Sequence, residues 1–170
     1  MPTLRLPLAA AGLALLAAAC APEPGTPSTA ALSSAKGTGP TAEPAGATSR
    51  DFGDHVIYFN ALRTSDLTPE VAQAYDIIRS PNRVMLNVSI SRKAAGTPGV
   101  AVAAAVTAEA VNLNAQYKNL SLREIREGDS VYYIGDVSIS SDETLVFTIS
   151  ATPDGTTEPL VMKFTRDFSG

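Results

Sequence analysis

The sequence predicts an all-β domain, an immunoglobulin-like β-sandwich of about seven strands, over residues 51–170. Apolar and polar residues alternate with period two through most of this region, which is typical of strands that are buried on one face. Turn signals such as Glu127-Gly128-Asp129 and Pro153-Asp154-Gly155 recur at regular intervals. The paired cysteines and the tryptophan of antibody domains are absent, so the prediction concerns the architecture alone.

The strand pattern occupies seven segments of the chain. We expect strands at residues 55–62, 83–92, 100–113, 117–127, 129–139, 145–149 and 160–164. Within residues 100–113, Val111 and Leu113 are out of phase with the preceding valines, which predicts a bulge or bend near Thr107–Ala110. The alternation also predicts the centre of the core: Val84, Leu86, Val88, Leu145, Phe147 and Ile149.

One segment carries a helix signal, near residues 68–76. Thr68 is a suitable N-cap, Pro69 suits the first helical position, and Glu70 faces the positive end of the helix dipole. About two turns are too short to be stable alone. We therefore expect this helix to dock on a sheet.

The N-terminus predicts a signal peptide over residues 1–19. Leu6–Leu16 is its apolar part, and it is too short for a transmembrane helix, which needs roughly 20 residues. Cys20 is the only cysteine and follows three alanines. Its position predicts a lipoprotein signal, with cleavage before Cys20 and acyl chains, palmitate among them, on its thiol and amine. Ala17 stands where such signals more often have leucine, so ordinary secretion to the periplasm is the alternative.

Residues 20–50 are predicted to be a disordered tether behind the lipidated cysteine. Ala, Pro, Gly, Ser and Thr fill 25 of the 30 positions from 21 to 50, a composition that buries too little apolar surface to fold. Ala21, rather than an aspartate, after the cysteine matches the pattern that sorts lipoproteins to the outer membrane.

Charge excludes two kinds of partner. Residues 51–170 carry 15 acidic and 10 basic side chains, so their net charge is −5. The basic residues form no patch, which argues against a nucleic-acid partner, and the acidity disfavours docking of the domain on an anionic membrane.

Several segments of the domain look familiar together: Asp51-Phe52-Gly53-Asp54, the helix segment, Arg79-Ser80-Pro81-Asn82-Arg83 and, most specifically, residues 122–134 with Glu127-Gly128-Asp129 at their turn. In these segments the chain resembles DUF4426, a bacterial family of small envelope proteins. The resemblance covers residues 51–168. It implies a secreted, single-domain β protein and carries over no catalytic or binding residues.

The residues themselves assemble no catalytic, cofactor or metal site. His55 is the only histidine and is more simply a solvent-facing residue at a strand start than a general base beside Asp54. Asp129, Asp142 and Glu143 would need to meet at one end of the sandwich to bind Ca²⁺, and their spacing matches no calcium loop. Turns also select aspartate for local backbone hydrogen bonds.

A partner-contact surface is predicted at Arg123, Arg126 and Tyr132. The two arginines could instead form cross-strand ion pairs, and Tyr132 could lie under the helix. The sequence therefore predicts a non-enzymatic envelope lipoprotein that needs no cofactor and acts as an interaction or accessory module for an envelope protein partner. The alternatives are a periplasmic carrier for a small apolar ligand, which needs an unfilled cavity between the sheets, and then an enzyme.

Overall fold

The computed structural model describes residue 40 and residues 42–97, 99–140 and 142–169. The predicted signal peptide, Cys20 and the tether as far as residue 39 lie outside the described residues. Within the described part the fold is mostly β, as the alternating pattern predicts. The described helices include none that is long and apolar enough to cross a membrane.

The described residues contain ten strands and one short α-helix. The strands are β1 (Ser49–Asp51), β2 (His55–Arg63), β3 (Arg83–Arg92), β4 (Val100–Ala101), β5 (Ala104–Asn112), β6 (Tyr117–Leu120), β7 (Arg123–Glu127), β8 (Ser130–Ser138), β9 (Thr144–Pro153) and β10 (Leu160–Asp167). A single 3₁₀ turn spans Thr64–Asp66, and α1 spans Pro69–Ala74.

The strands form two antiparallel sheets packed as a sandwich. The six-stranded sheet has the order β1-β2-β3-β8-β7, with β4 also paired to β3. The four-stranded sheet has the order β10-β9-β5-β6. The predicted two-sheet architecture is therefore confirmed, with more strands than the seven expected from sequence.

Two of the predicted strands are divided because the chain changes sheet within them. Residues 100–113 form β4 in the six-stranded sheet and then β5 in the four-stranded sheet. Residues 117–127 form β6 in the four-stranded sheet and then β7 in the six-stranded sheet. Alternation continues across both crossings, so the sequence pattern does not reveal them. The third additional strand, β1, lies before the expected start of the domain.

The expected bulge near Thr107–Ala110 is wrong. The β5–β9 register runs without interruption from Ala104 opposite Pro153 to Asn112 opposite Leu145. The inward phase continues to the end of β5, where its last buried position is the polar Asn112. The apolar Leu113 beyond it is 77% exposed, which is why an apolar pattern alone misread this strand.

The inner faces of the sheets form the core. The six residues assigned to its centre by alternation are each 0% exposed: Val84, Leu86, Val88, Leu145, Phe147 and Ile149. Phe164 stacks between the sheets, with its ring centroid 4.4 Å from that of Phe59 and 4.9 Å from that of Phe147. These aromatic contacts join β2 of one sheet to β9 and β10 of the other.

The ordered domain begins earlier than Asp51. Residues 42–50 were placed in the tether by composition, yet they pair with the sandwich: β1 pairs with β2, and the Glu43 N–H donates to the Lys163 carbonyl at 2.7 Å. The Arg50 guanidinium also pairs with the Glu43 carboxylate at 2.7 Å. Every residue carries a main-chain acceptor, and every residue except proline also carries a main-chain donor, so composition does not predict where edge pairing begins.

The predicted helix is confirmed, and its position follows from local chemistry. Thr68 Oγ accepts a hydrogen bond from the Val71 N–H at 3.3 Å, and Pro69 is the first helical residue. The Tyr75 hydroxyl donates to Glu127 Oε1 at 2.8 Å, which fixes the end of α1 to β7. Ala72 is 3% exposed, so α1 covers part of the outer face of the six-stranded sheet.

Gly135 in β8 makes room for the second crossing between the sheets. A Cβ at this position would lie 2.7 Å from the Ser121 carbonyl oxygen and 2.9 Å from Leu122 Cδ2. Residues 121 and 122 are the two that connect β6 to β7. The crossing chain therefore packs directly against the backbone of β8, where only glycine fits.

We expect Gly135→Ala to lower the free energy of unfolding by about 1–3 kcal/mol, because the added methyl group must displace the backbone of the crossing. Urea unfolding followed by circular dichroism measures this change. Ser138→Ala, at the exposed end of the same strand, is the matched control and should change the value by no more than about 0.5 kcal/mol. Equal stability of the glycine variant and the wild type would contradict the tight crossing.

Candidate functional site: the outer-face groove

The six-stranded sheet opens between β3 and β8. Their register runs from Arg83 opposite Ser138 to Val88 opposite Tyr133 and ends there. Beyond that point β8 continues to Ser130 paired with β7, whereas β3 pairs with β4 at its far end. The first crossing between the sheets follows β4 directly, so this is where the chain leaves the six-stranded sheet.

A cleft of about 710 Å³ lies at this opening, on the outer face of the sheet. It is lined by Tyr58 of β2, residues 89–91 of β3, residues 99–101 at β4, and residues 129–132 at the start of β8. Tyr58 is 43% exposed and Val100 is 51% exposed. Large apolar and aromatic surface is therefore accessible here on an otherwise serine-rich lining.

Two smaller cavities adjoin the cleft. One, of about 260 Å³, lies beneath α1 and shares Tyr132 with the cleft. The other, of about 110 Å³, shares Tyr58 and Ser89 with the cleft. Asn87 lines both of the smaller cavities. We call the cleft and these two cavities together the outer-face groove.

Asn87 has an unusual environment within the outer-face groove. Across the described residues, Asn87 Oδ1 is the one buried side-chain nitrogen or oxygen without a hydrogen-bond partner. A buried acceptor that lacks a donor destabilises a protein by about 1–3 kcal/mol. Such an atom in a cavity marks a position where a hydrogen-bond donor would be favourable.

The groove is poor in cationic groups. Asp129 is the one charged residue among those lining the main cleft, and no lysine or arginine lines it. Under α1, Glu127 accepts from Tyr75, and this hydrogen bond raises the pKa of the Tyr75 phenol. The groove therefore offers hydroxyl groups and carboxylates, and it suits neutral or cationic ligands better than anions.

The three residues predicted as a partner-contact surface do not share one face. Arg123 lies opposite Ile134, and Tyr132 lies opposite Ile125, so Arg123 and Tyr132 project from the outer face. Arg126 projects from the other face of the sheet. Tyr132 lines the main cleft and also borders the cavity beneath α1, as the alternative of a position under the helix predicts.

Arg126 forms an ion pair within one strand and not the cross-strand pair that was considered from sequence. Arg126 Nε donates to Glu124 Oε1 at 2.6 Å, which is a pair within β7 rather than between strands. The cross-strand contact is made by Tyr133, whose hydroxyl donates to Glu124 Oε2 at 3.0 Å and accepts from the Ala104 N–H at 2.7 Å. Burial raises the pKa of Tyr133, so the phenol stays protonated and links β7, β8 and β5.

The remaining candidates do not come together: Asp129 lines the main cleft, whereas His55, Asp142 and Glu143 are not among the residues that line the groove. His55 begins β2 opposite Arg92 of β3. Asp129 precedes β8, whereas Asp142 and Glu143 follow it, so the length of that strand, roughly 30 Å, separates them. The calcium site considered from sequence is therefore not assembled. No group of three or more possible metal-ligating side chains meets within the described part of the chain.

Glu143 instead ties together one end of the sandwich. It is 8% exposed and accepts hydrogen bonds from Asn112 Nδ2 at 2.6 Å and from the Ser140 N–H at 2.9 Å. Lys118 Nζ lies 3.2 Å from Glu143 Oε2, the same oxygen that accepts from the Ser140 N–H. Burial by itself would raise the pKa of Glu143, but these three partners outweigh it and the pKa is lowered.

Tyr132 could be identified from sequence, but neither Tyr58 nor the groove itself could. The first predicted strand is apolar on both faces, so alternation does not show that Tyr58 is on the outer face. The separation of β3 from β8 depends on where the chain changes sheet, and no local pattern records that. The sequence feature nearest to this opening is the loop before β4, which contains two glycines. One of them, Gly99, has a positive φ of 104°.

We expect Glu143→Gln to lower the free energy of unfolding by about 1–3 kcal/mol at pH 7, since a neutral amide cannot replace the carboxylate toward all three donors. The folded-state pKa is lowered, so the stabilisation is present above the ordinary value of 4.5 and is lost as the pH falls through the folded value. Urea unfolding at pH 7 and at lower pH measures this. Glu158→Gln, at an exposed turn, is the control. If the difference in free energy of unfolding between Glu143→Gln and the wild type did not shrink in acid, the role of the Glu143 carboxylate would be contradicted.

The family comparisons agree with the resemblance noted in the sequence. The family model described as domain of unknown function (DUF4426) matches residues 49–169. A crystal structure of a DUF4426 family protein from Pseudomonas aeruginosa PAO1 is 33% identical, with a TM-score of 0.59, covering 70% of this chain and 91% of that one. No match was found among the curated proteins.

A second solved structure shares the fold. It is FetP of uropathogenic Escherichia coli strain F11, expressed in the periplasm of Escherichia coli BL21(DE3). Its identity is 11% and its TM-score 0.52, over 77% of this chain and 95% of that one. The family model and the Pseudomonas aeruginosa structure together establish that the chain belongs to the DUF4426 family.

Proposed function

We propose that the chain is a non-enzymatic accessory module of the bacterial envelope. In this proposal a lipid on Cys20 anchors it at the periplasmic side of the outer membrane, and the outer-face groove is its interaction surface. The observation that carries the proposal is Cys20 itself, the only cysteine, which ends an apolar leader ahead of an Ala/Pro-rich tract.

The length of chain after Cys20 supports a tethered role. Residues 21–41 separate the cysteine from Ala42, which pairs with Lys163 at the sandwich. A fully extended chain of this length reaches roughly 70 Å. An acylated Cys20 would therefore leave the domain free to move about two of its own strand lengths from the membrane surface.

The placement of side chains favours recognition over catalysis. His55, at the start of β2, is not among the residues that line the main cleft, which offers serine and tyrosine hydroxyl groups and one carboxylate but no lysine, arginine or histidine. A general base and an activated nucleophile within hydrogen-bond reach would be the signature of an enzyme. The groove has the composition of a binding surface.

The second candidate, a carrier for a small apolar ligand, fits the packing less well. Such a ligand would need space between the sheets. The side chains there, including Ile57, Leu86 and Phe147, are 0% exposed, and Phe164 stacks with its neighbours across the interface. The cavities of the outer-face groove lie on the opposite side of the six-stranded sheet.

We expect the wild-type protein to incorporate radiolabelled palmitate and to fractionate with the outer membrane. Cys20→Ala should carry no label and release the domain into the periplasmic fraction, because several acyl chains at about 0.8 kcal/mol per buried CH₂ give a durable anchor and none would remain. Ser28→Ala, in the tract after the cysteine, is the matched control and should behave as wild type. Failure of the wild-type protein to take up label would overturn the anchor and leave a soluble periplasmic domain.

A further inference from the structure

We propose that the outer-face groove binds a neutral saccharide segment. This inference rests on the proposed function, because it names the chemical class recognised by the surface proposed there. It is carried by three features of the groove: two tyrosines that line it, of which Tyr58 is exposed and Tyr132 half-buried, a set of hydroxyl groups with one unpartnered amide oxygen, and the absence of cationic side chains among its lining residues.

The two tyrosines are placed to stack with sugar rings. Tyr58 lies opposite Ser89 in the register, and Tyr132 would be the next neighbour of Ser89 beyond the last β3–β8 pair. Tyr58 and Tyr132 therefore lie on either side of Ser89 across the opening between β3 and β8, and both line the cleft. Tyrosine presents an apolar face and a polar hydroxyl, which matches the apolar C–H face and the hydroxyl rim of a sugar.

Hydrogen-bonding groups fill the space around these rings. Ser89, Ser91 and Ser130 line the main cleft, and each hydroxyl can donate one hydrogen bond and accept others. Asn87 Oδ1 is a buried acceptor with no donor. A sugar hydroxyl is both donor and acceptor, so it can satisfy Asn87 and a neighbouring serine at once.

Charge selects among hydroxyl-rich ligands. Asp129 is the charged residue of the main cleft, and no lysine or arginine lines it. A phosphate, a uronic acid or a fatty-acid carboxylate would therefore meet a like charge and no counter-ion. The cleft also lies on the outer face of a sheet and opens to solvent, which allows a segment within a longer saccharide chain to lie across it.

Titration of the isotope-labelled full chain in detergent micelles with tri-N-acetylchitotriose, cellotriose and maltotriose tests the inference by NMR. At least one of these neutral trisaccharides is expected to shift amide resonances of residues 89–91, 99–101 and 129–132. Trigalacturonate and laurate serve as the anionic arms and should leave these resonances unchanged. Absence of any saccharide shift at these residues, or shifts produced instead by either anion, would overturn the proposal.

Variants locate the binding to the groove. Tyr58→Ala and Tyr132→Ala should each weaken binding about tenfold or more, since each removes a stacking ring. Tyr117→Ala, which removes an equally large side chain that is 72% exposed on β6, is the control and should keep the wild-type affinity within about twofold. Equal loss in all three variants would contradict the assignment, and thermal melting establishes that each variant is folded.

Asn87→Leu separates a binding role from a structural one. If Asn87 Oδ1 lacks a partner in the free protein, leucine should leave the free protein as stable as wild type or more stable, while it weakens saccharide binding. A variant of lower stability with unchanged affinity would show that a bound water or protein group already satisfies this atom. That result would overturn the proposed role of Asn87 as the ligand's acceptor.

The saccharide titration and the test of the lipid anchor on Cys20 have independent outcomes. Palmitate labelling of Cys20 reports on the proposed envelope location whether or not a saccharide binds. A photo-crosslinking residue at Tyr132 that captures an envelope protein in cells, with no saccharide shifts in the titration, would leave the accessory function intact and refute the saccharide. Saccharide shifts without palmitate label would refute the anchor alone.

Discussion

The contact between the inner faces of the two sheets is the interaction on which the rest of the structure depends. Phe164 lies against Phe59 of the opposite sheet and Phe147 of its own sheet at centroid distances of 4.4 and 4.9 Å. The only cysteine is residue 20, so no internal disulfide holds the domain together. Burial of apolar surface between the sheets must supply its stability, and the central strands β2, β3, β8 and β9 each present an apolar face to that layer.

This requirement also explains the crossings between the sheets. A chain that serves both sheets must pass between them, and it does so after β4, after β6 and after β8. The second crossing packs on Gly135, where a side chain would meet the Ser121 carbonyl at 2.7 Å. The first leaves β3 and β8 apart beyond Val88 and Tyr133, and the cleft lies in that opening. The candidate site is therefore a consequence of how the sandwich is connected.

The outer face of the six-stranded sheet is divided between structural and recognition roles. At one end α1 covers it, with Ala72 buried and Tyr75 bonded to Glu127. At the other end Tyr58 and the serines of β3 remain accessible. Asn87 lies between the two regions, and its unpartnered oxygen is the point at which the packing is incomplete. A ligand that donates a hydrogen bond there would complete it.

The two-sheet β architecture, the capped helix and the core could be predicted from sequence, because alternation and local capping depend on residues close together in the chain. The family could also be recognised from sequence, in segments that include residues 122–134, and the family model matches residues 49–169. Three features were seen first in the folded structure: the places where the chain changes sheet, the pairing of residues 42–50 with the domain, and the opposite faces of Arg123 and Arg126. These features depend on which strands pair across long stretches of sequence, and main-chain pairing leaves little trace in composition.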